Sequence, residues 1–387
     1  MSDLRLQTAL SMPAEFRFDE VSSLAEPKAA ATPAPSLGAL AAFTGTFHGV
    51  GFNTIFRPDL GSPTKLPVTA TDDNLLELNL TEETLSFSPS LGAVPNRGEA
   101  QADITLNGIP YLQVINDVTI AGQSTGIHVE PGLWMAVPAT TDPSEGVTFV
   151  RMASIPHGTT LLAQGKATTV AGKPTFPVID ITPFGIGSAP GTGAPFPSQT
   201  AAAAGTVRIP QDLTSYIKAG TITQAMLDNP VSLLSAHIAN LNVTSTTSIT
   251  VSASAPAPLF GGGLRDIAFL DGDSQGNNPN AFVASMEATF YIETVDYTIE
   301  VPVFTPGQPP LTISPAREAG PSRQPVPEFL VTPPAAITAP RAIKVAATQI
   351  QYVQRVLLNF NGLSWPHVSV ATLVPASPVT VPASVFS

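Results

Sequence analysis

Residues 342–374 read AIKVAATQIQYVQRVLLNFNGLSWPHVSVATLV, and this stretch decides the fold. Ala342–Leu358 carries strand patterning, and so does His367–Val374. Between them stands Asn361-Gly362, a dipeptide suited to a tight hairpin turn. His367, Ser369 and Ala371 fall on one face of the last strand; Val368, Val370 and Thr372 fall on the other. The histidine face is small, leaving room beside it for a planar group.

The same period-two pattern extends outward. Phe282–Val303 alternates strongly, with Thr289, Tyr291, Glu293 and Val295 on one face and Phe290, Ile292, Thr294 and Asp296 on the other. Val243–Ala253 is a further strand. Earlier, residues 43–56, the Leu76/Leu78/Leu80 alternation, Thr84–Ser88, Tyr111–Val118, Ile127–Val137, Thr148–Ser154 and Thr159–Ala167 read as a meander. Turns are expected after Leu80 and at Asn107-Gly108, Ala121-Gly122 and His157-Gly158. Strands in this number without intervening helices imply a mainly β chain, an antiparallel barrel or sandwich.

Four segments interrupt the pattern. Residues 1–36, with an Ala/Pro run at 29–35, read as a flexible arm. Residues 37–185 hold the first part of the barrel. Within 186–279, a Gly/Pro/Ala/Ser-rich linker (186–206) precedes three short helices, capped near Asp212 or Thr214, at Thr223, and starting near Pro230. Residues 280–387 supply the closing strands around a Pro-rich tether, 305–340, whose ten prolines read as extended chain outside any sheet interior. The expected architecture is one closed barrel with a helical insertion and a Pro-rich tether.

Composition excludes several functions. The 387 residues carry net charge -12, with 17 Lys and Arg that form no basic stripe, so nucleic acid is not an expected partner. Hydrophobic residues make up 43%, yet no unbroken apolar run reaches the length of a bilayer, so no membrane span is expected. Met1–Met12 lacks the pattern of a secretory signal, and a cytoplasmic location is expected. Without cysteine there are no disulfides, thiolate nucleophiles or thioether-linked cofactors. The nucleophile elbow, P-loop and H-E-x-x-H signatures are absent.

Three strings carry the candidate chemistry. Gly45-Thr46-Phe47-His48-Gly49-Val50-Gly51 punctuates a strand with glycine, which marks either a barrel corner or the close approach of another group. His128 and Glu130, two apart in His128-Val129-Glu130-Pro131-Gly132, project to one face. They either orient an imidazole near a ligand or close the barrel end by hydrogen bonds. His157, after Pro156 at a turn, reads as an acid/base group overhanging the mouth or as an exposed turn residue. His367 reads as an iron ligand or a structural histidine. His237, in the helical insertion, reads as exposed or partly buried without function.

In this order the strings resemble motifs of the nitrobindin-like heme β-barrels, a calycin-type family. The first resembles their G-x-W-x-G-x-G element, with Phe47 in place of Trp, and the second their H-x-E-x-G element. The run from Gln351 to Pro375 resembles their last two strands, placing His367 where the family supplies its axial heme ligand. The match spans roughly 40–185, 280–303 and 345–376. It implies one heme b bound through iron to His367, with Gly45, Phe47, Gly49, Gly51, His128, Glu130 and Gly132 around the cofactor and His157 as distal acid/base group. The implied activity is peroxidase-like, or directed at reactive oxygen or nitrogen species in the manner of a peroxynitrite isomerase. The partner is a small-molecule oxidant or an apolar ligand, and the arm, the helical insertion and the Pro-rich tether supply a cover, a substrate pocket or a homodimer surface. The alternatives are a lipocalin-like carrier of an apolar small molecule and a metal-free cyclase or isomerase.

Overall fold

The computed structural model describes residues 33–59, 74–253, 262–272, 280–316 and 323–387. Most of the arm, 1–32, therefore lies outside the described residues. Ten strands build the barrel: β1 Gly45–Pro58, β2 Asn74–Phe87, β3 Ile104–Asp117, β4 Thr125–Val137 and β5 Thr148–Ile155. They continue as β6 Thr159–Ala171, β7 Asn242–Ser252, β8 Phe282–Val301, β9 Arg341–Phe360 and β10 Leu363–Pro375. Each pairs antiparallel with the next, and β10 returns to β1 with Asn53 opposite Ser369. The result is a closed ten-stranded up-and-down barrel, which leaves no bare edge between its first and last strands.

Local chemistry accounts for the hairpins. At the β9–β10 turn Asn361 and Gly362 have φ of 48° and 75°, the paired left-handed conformation that a two-residue hairpin requires. Gly122 and Gly158 occupy left-handed positions at two further expected turns. Two expected turns are absent. Asn107-Gly108 lies within β3, and β2 runs unbroken through Thr81-Glu82-Glu83. That polar tripeptide imitates a turn because Thr81 and Glu83 point into a barrel interior that is itself polar at this level.

One end of the barrel is plugged. A short 3-10 helix, Gly38–Ala42, delivers Leu40 and Phe43 onto Phe47, Phe87, Trp134, Phe149 and Phe290. Phe43 stacks on Phe87 with ring centroids 4.5 Å apart and meets Trp134 edge-on at 5.7 Å. Full burial of side chains this size contributes about 1.5–3 kcal/mol each. The opposite end carries the β3–β4, β5–β6 and β9–β10 turns.

Residues 172–241 wrap the outer wall of β1, β2, β9 and β10. Helices α1 Thr214–Ala219, α2 Gln224–Asp228 and α3 Ser232–Ile238 form as expected. Asp212 accepts from Thr214 N–H and Thr223 from Met226 N–H. Leu227 and Leu234 pack on an outer wall that includes Phe52, Leu78, Val368 and Val370, so β10 is buried on both faces. The 186–206 stretch is more than a linker. Buried Arg208 gathers it by donating to the carbonyls of Ser198, Thr200, Ala201 and Ala203.

The Pro-rich segment is likewise no solvated tether. Its strands Leu311–Ile313 and Phe329–Val331 pair with each other. Phe304 and Phe329 are buried against Ile299, Val301, Ile343 and Val345, on the stretch where β8 and β9 extend farthest. Apolar residues spaced between the prolines supply that core, while the prolines restrict the chain to short pairings.

Candidate functional site

The middle of the barrel holds charge. Glu130 on β4 and Arg151 on β5 face each other, both about 1% exposed or less, with Arg151 Nη2 2.6 Å and Nε 3.1 Å from Glu130 Oε1. The Tyr111 hydroxyl donates to the same oxygen and accepts from Arg151 Nε at 2.9 Å. Arg151 Nη1 donates to Gln354 Oε1 at 2.7 Å, and its guanidinium lies 5.2 Å from the Phe290 ring centroid. Burial alone would push Glu130 up. The Arg151 charge and the His128 and Tyr111 hydrogen bonds outweigh it and hold the carboxyl at about 2. Glu130 is therefore ionised, and Arg151 is its counter-charge.

A second carboxyl sits beside this pair. Glu83 accepts from Tyr352 Oη at 2.6 Å and from Thr81 Oγ1 at 2.8 Å. Gln113 Nε2 lies 3.1 Å from Tyr352 Oη. Among the described residues no cation pairs with Glu83, and burial raises its pKa despite these donors.

The glycines of both strings make room for these groups. A Cβ on Gly51 would strike the Val370 carbonyl oxygen first and lie 2.7 Å from Thr81 Oγ1 and 2.8 Å from Glu83 Oε1; on Gly132 it would strike the Tyr111 ring. A Cβ on Gly49 would come within 2.9 Å of the β10 backbone at Leu373. Gly45 opens β1 at φ 68°, with open space where its Cβ would be. Phe47 belongs to the aromatic plug.

Toward the turn end the interior presents histidines from β4, the β5–β6 turn and β10. His128 Nε2 stands 3.1 Å from Glu130 Oε2, and its ring centroid is 5.8 Å from that of His157. His157 is exposed and donates through Nε2 to the Ile127 carbonyl at 3.1 Å. His367 is half-buried, opposite Val356 on β9. Its Nε2 accepts from Asn53 Nδ2 at 2.8 Å, while the same amide donates to Ser369 Oγ at 2.8 Å. Desolvation first, then the neighbouring His128 and His157, hold His367 down at about 3. It is therefore neutral at physiological pH.

The remaining ring nitrogens matter for chemistry. Nδ1 of His128 and Nδ1 of His367 have no hydrogen-bond partner among the described residues, and neither is sealed from solvent-sized space. Among the described residues no set of three or more His, Asp or Glu side chains is arranged to hold a metal ion. Among the described residues a metal ion would therefore find at most two such ligands.

His237 is a correction: it is buried against the outer wall, with Nδ1 2.7 Å from Thr372 Oγ1. Helix α3 faces the barrel, so the histidine is carried inward. Reading the strings as sequence brought His128, Glu130, His157 and His367 together but missed Asn53, Glu83, Arg151 and Tyr352. Strand parity was the available signal: Arg151 shares its face with buried Phe149 and Ala153, and Tyr352 with Ile350.

No known family model and no curated protein matches the sequence. Among solved structures the chain is similar to the crystal structure of Rv2717c from M. tuberculosis. Identity is 10%, coverage is 89% of this chain and 99% of that one, and the TM-score is 0.34. Among the described residues no helix is long and apolar enough to cross a membrane.

Proposed function

We propose that the barrel binds one heme b through His367 and acts on small oxidants, reactive oxygen or nitrogen species. The observation that carries this reading is the half-buried His367 ring, held neutral at physiological pH by desolvation and followed on its face by the small residues Ser369 and Ala371. A neutral imidazole offers a lone pair without competition from a proton, as an axial ligand must. The donor set fits a cofactor held by one histidine. Among the described residues it does not suit a metal ion that needs three or more such ligands.

Heme, when bound, supplies iron with a coordination position open to peroxide or a nitrogen oxide. The protein's part is to hold, orient and exclude. Asn53 fixes the His367 ring, and its hold on Nε2 must loosen for that nitrogen to ligate. Leu40 and Phe43 seal the far end. The Glu130–Arg151 pair places fixed charge beside the space without a net local charge. His157, the distal candidate from the sequence, is exposed on the turn next to His128 with its Nε2–H given to the Ile127 carbonyl, so it takes no part in this reading.

Loading the purified protein with hemin tests the reading. A stoichiometric Soret band in the parent, lost in a folded His367→Ala, supports it. Equal hemin affinity in that variant removes His367 as ligand. The second reading is a metal-free barrel for a small molecule, carrier or isomerase. The engagement of His367 Nε2 by Asn53 favours it, since the ring then serves as a hydrogen-bonding wall. The absence of a Soret band from both proteins would select it.

A further inference from the structure

We propose that His128, oriented by Glu130, is the general base of the barrel-end site and takes the O–H proton of a small protic ligand, a hydroperoxide, on its Nδ1. The proposal rests on the turn end being the ligand site, but not on iron.

Geometry sets the tautomer. Glu130 Oε2 lies 3.1 Å from His128 Nε2, and a carboxylate can only accept there, so Nε2 carries the proton. The lone pair is left on Nδ1, which has no partner among the described residues and is not sealed off. His128 is 16% exposed at its side chain while Glu130 is fully buried, so the ring stands between a fixed charge and open space. This is the arrangement by which a carboxylate holds an imidazole for proton abstraction.

The step balances without any redox partner. The ligand O–H bond breaks, an N–H bond forms on Nδ1, and the products are an imidazolium and the ligand's anion. The new positive charge lies against Glu130. That carboxylate is pinned by Arg151 and Tyr111 at an acidity that keeps it from taking the proton itself. The other titratable groups facing His128 are His157 across the turn, His367 on β10 and Glu83 on β2. Desolvation lowers the proton affinity of both His157 and His367. His157 is also exposed, and its Nε2–H is committed to the Ile127 carbonyl. The acid/base role that the sequence suggests for His157 passes to His128.

Two measurements decide the matter. In heme-free protein, nitrogen-15 NMR should show His128 as the Nε2–H tautomer. A Nδ1–H tautomer overturns the proposal whatever the protein does with heme. In hemin-loaded protein, the rate of reaction with hydrogen peroxide is read from the Soret band. His128→Gln should slow it about 100-fold or more at unchanged heme content, while His157→Gln stays within about threefold of the parent. His128→Asn serves where the first variant fails to fold. An unchanged rate in His128→Gln, or a larger loss in His157→Gln, overturns the assignment. If hemin is not taken up, the iron reading fails alone and the tautomer decides for His128.

Discussion

Asn53 Nδ2 lies 2.8 Å from His367 Nε2 and occupies the lone pair through which imidazole ordinarily ligates heme iron. Asn53 is thus both the support of this ring and a competitor for it. The expected result of Asn53→Ala is tighter hemin binding, by roughly three- to tenfold, the worth of one net hydrogen bond. Hemin titration followed at the Soret maximum measures it. Weaker binding would mean that iron takes Nδ1 and that Asn53 helps to aim the ring.

Glu130 and Arg151 define the electrostatic middle of the barrel. Neutralising one partner leaves the other charged and buried, at a cost of about 3–5 kcal/mol. Arg151→Met and Glu130→Gln should each lower the urea midpoint strongly, and the double variant should recover a large part of the loss. Additive losses in the double-mutant cycle would show that the two side chains do not compensate each other.

Gly51 and Gly132 make a separate steric test. Their missing Cβ atoms leave the space filled by the Val370 carbonyl, Thr81 and Glu83 at one and by Tyr111 at the other. Gly51→Ala and Gly132→Ala should each destabilise by about 1–3 kcal/mol, the cost of overpacking, with the Soret band of loaded protein altered only secondarily. Unfolding midpoints beside hemin titrations separate the two effects. Full stability with lost heme binding would assign the glycine space to the cofactor instead.

Much of this barrel is legible in sequence because hairpin neighbours in the chain are neighbours in the wall. Asn361-Gly362 between two β-rich runs suffices to place β9 and β10 as a hairpin. Legibility fails where interior residues are polar. Thr81-Glu82-Glu83 resembles a turn until Tyr352, 269 residues away from Glu83, is seen to donate to it. Asn53 and His367 are 314 residues apart, so no local pattern announces their contact. The insertion hides β10 in the opposite way. By burying the outer wall it removes the alternation that would have marked which face is inside.

Two buried groups on that outer wall bend the pH dependence of stability in opposite senses. Desolvation, aided by the charge of Arg323, lowers His237 to about 4. Below about pH 6.5 the unfolded chain binds a proton that the fold refuses, so stability declines as pH falls through this window and levels off below about 4. His367 adds to the same acid limb. Glu293 is fully buried with Gln349 Nε2 2.7 Å from Oε2, and burial raises it to about 7. Between about pH 4.5 and 7 the fold keeps a proton that the unfolded chain releases, so stability declines as pH rises. Glu83, raised in the same direction, shares this limb. Glu293→Gln should therefore stabilise the protein at about pH 8 by up to roughly 3 kcal/mol and change little at about pH 4.5. Urea midpoints at the two pH values measure the difference. Equal shifts at both would mean that Glu293 acts through packing, and that the limb belongs to Glu83.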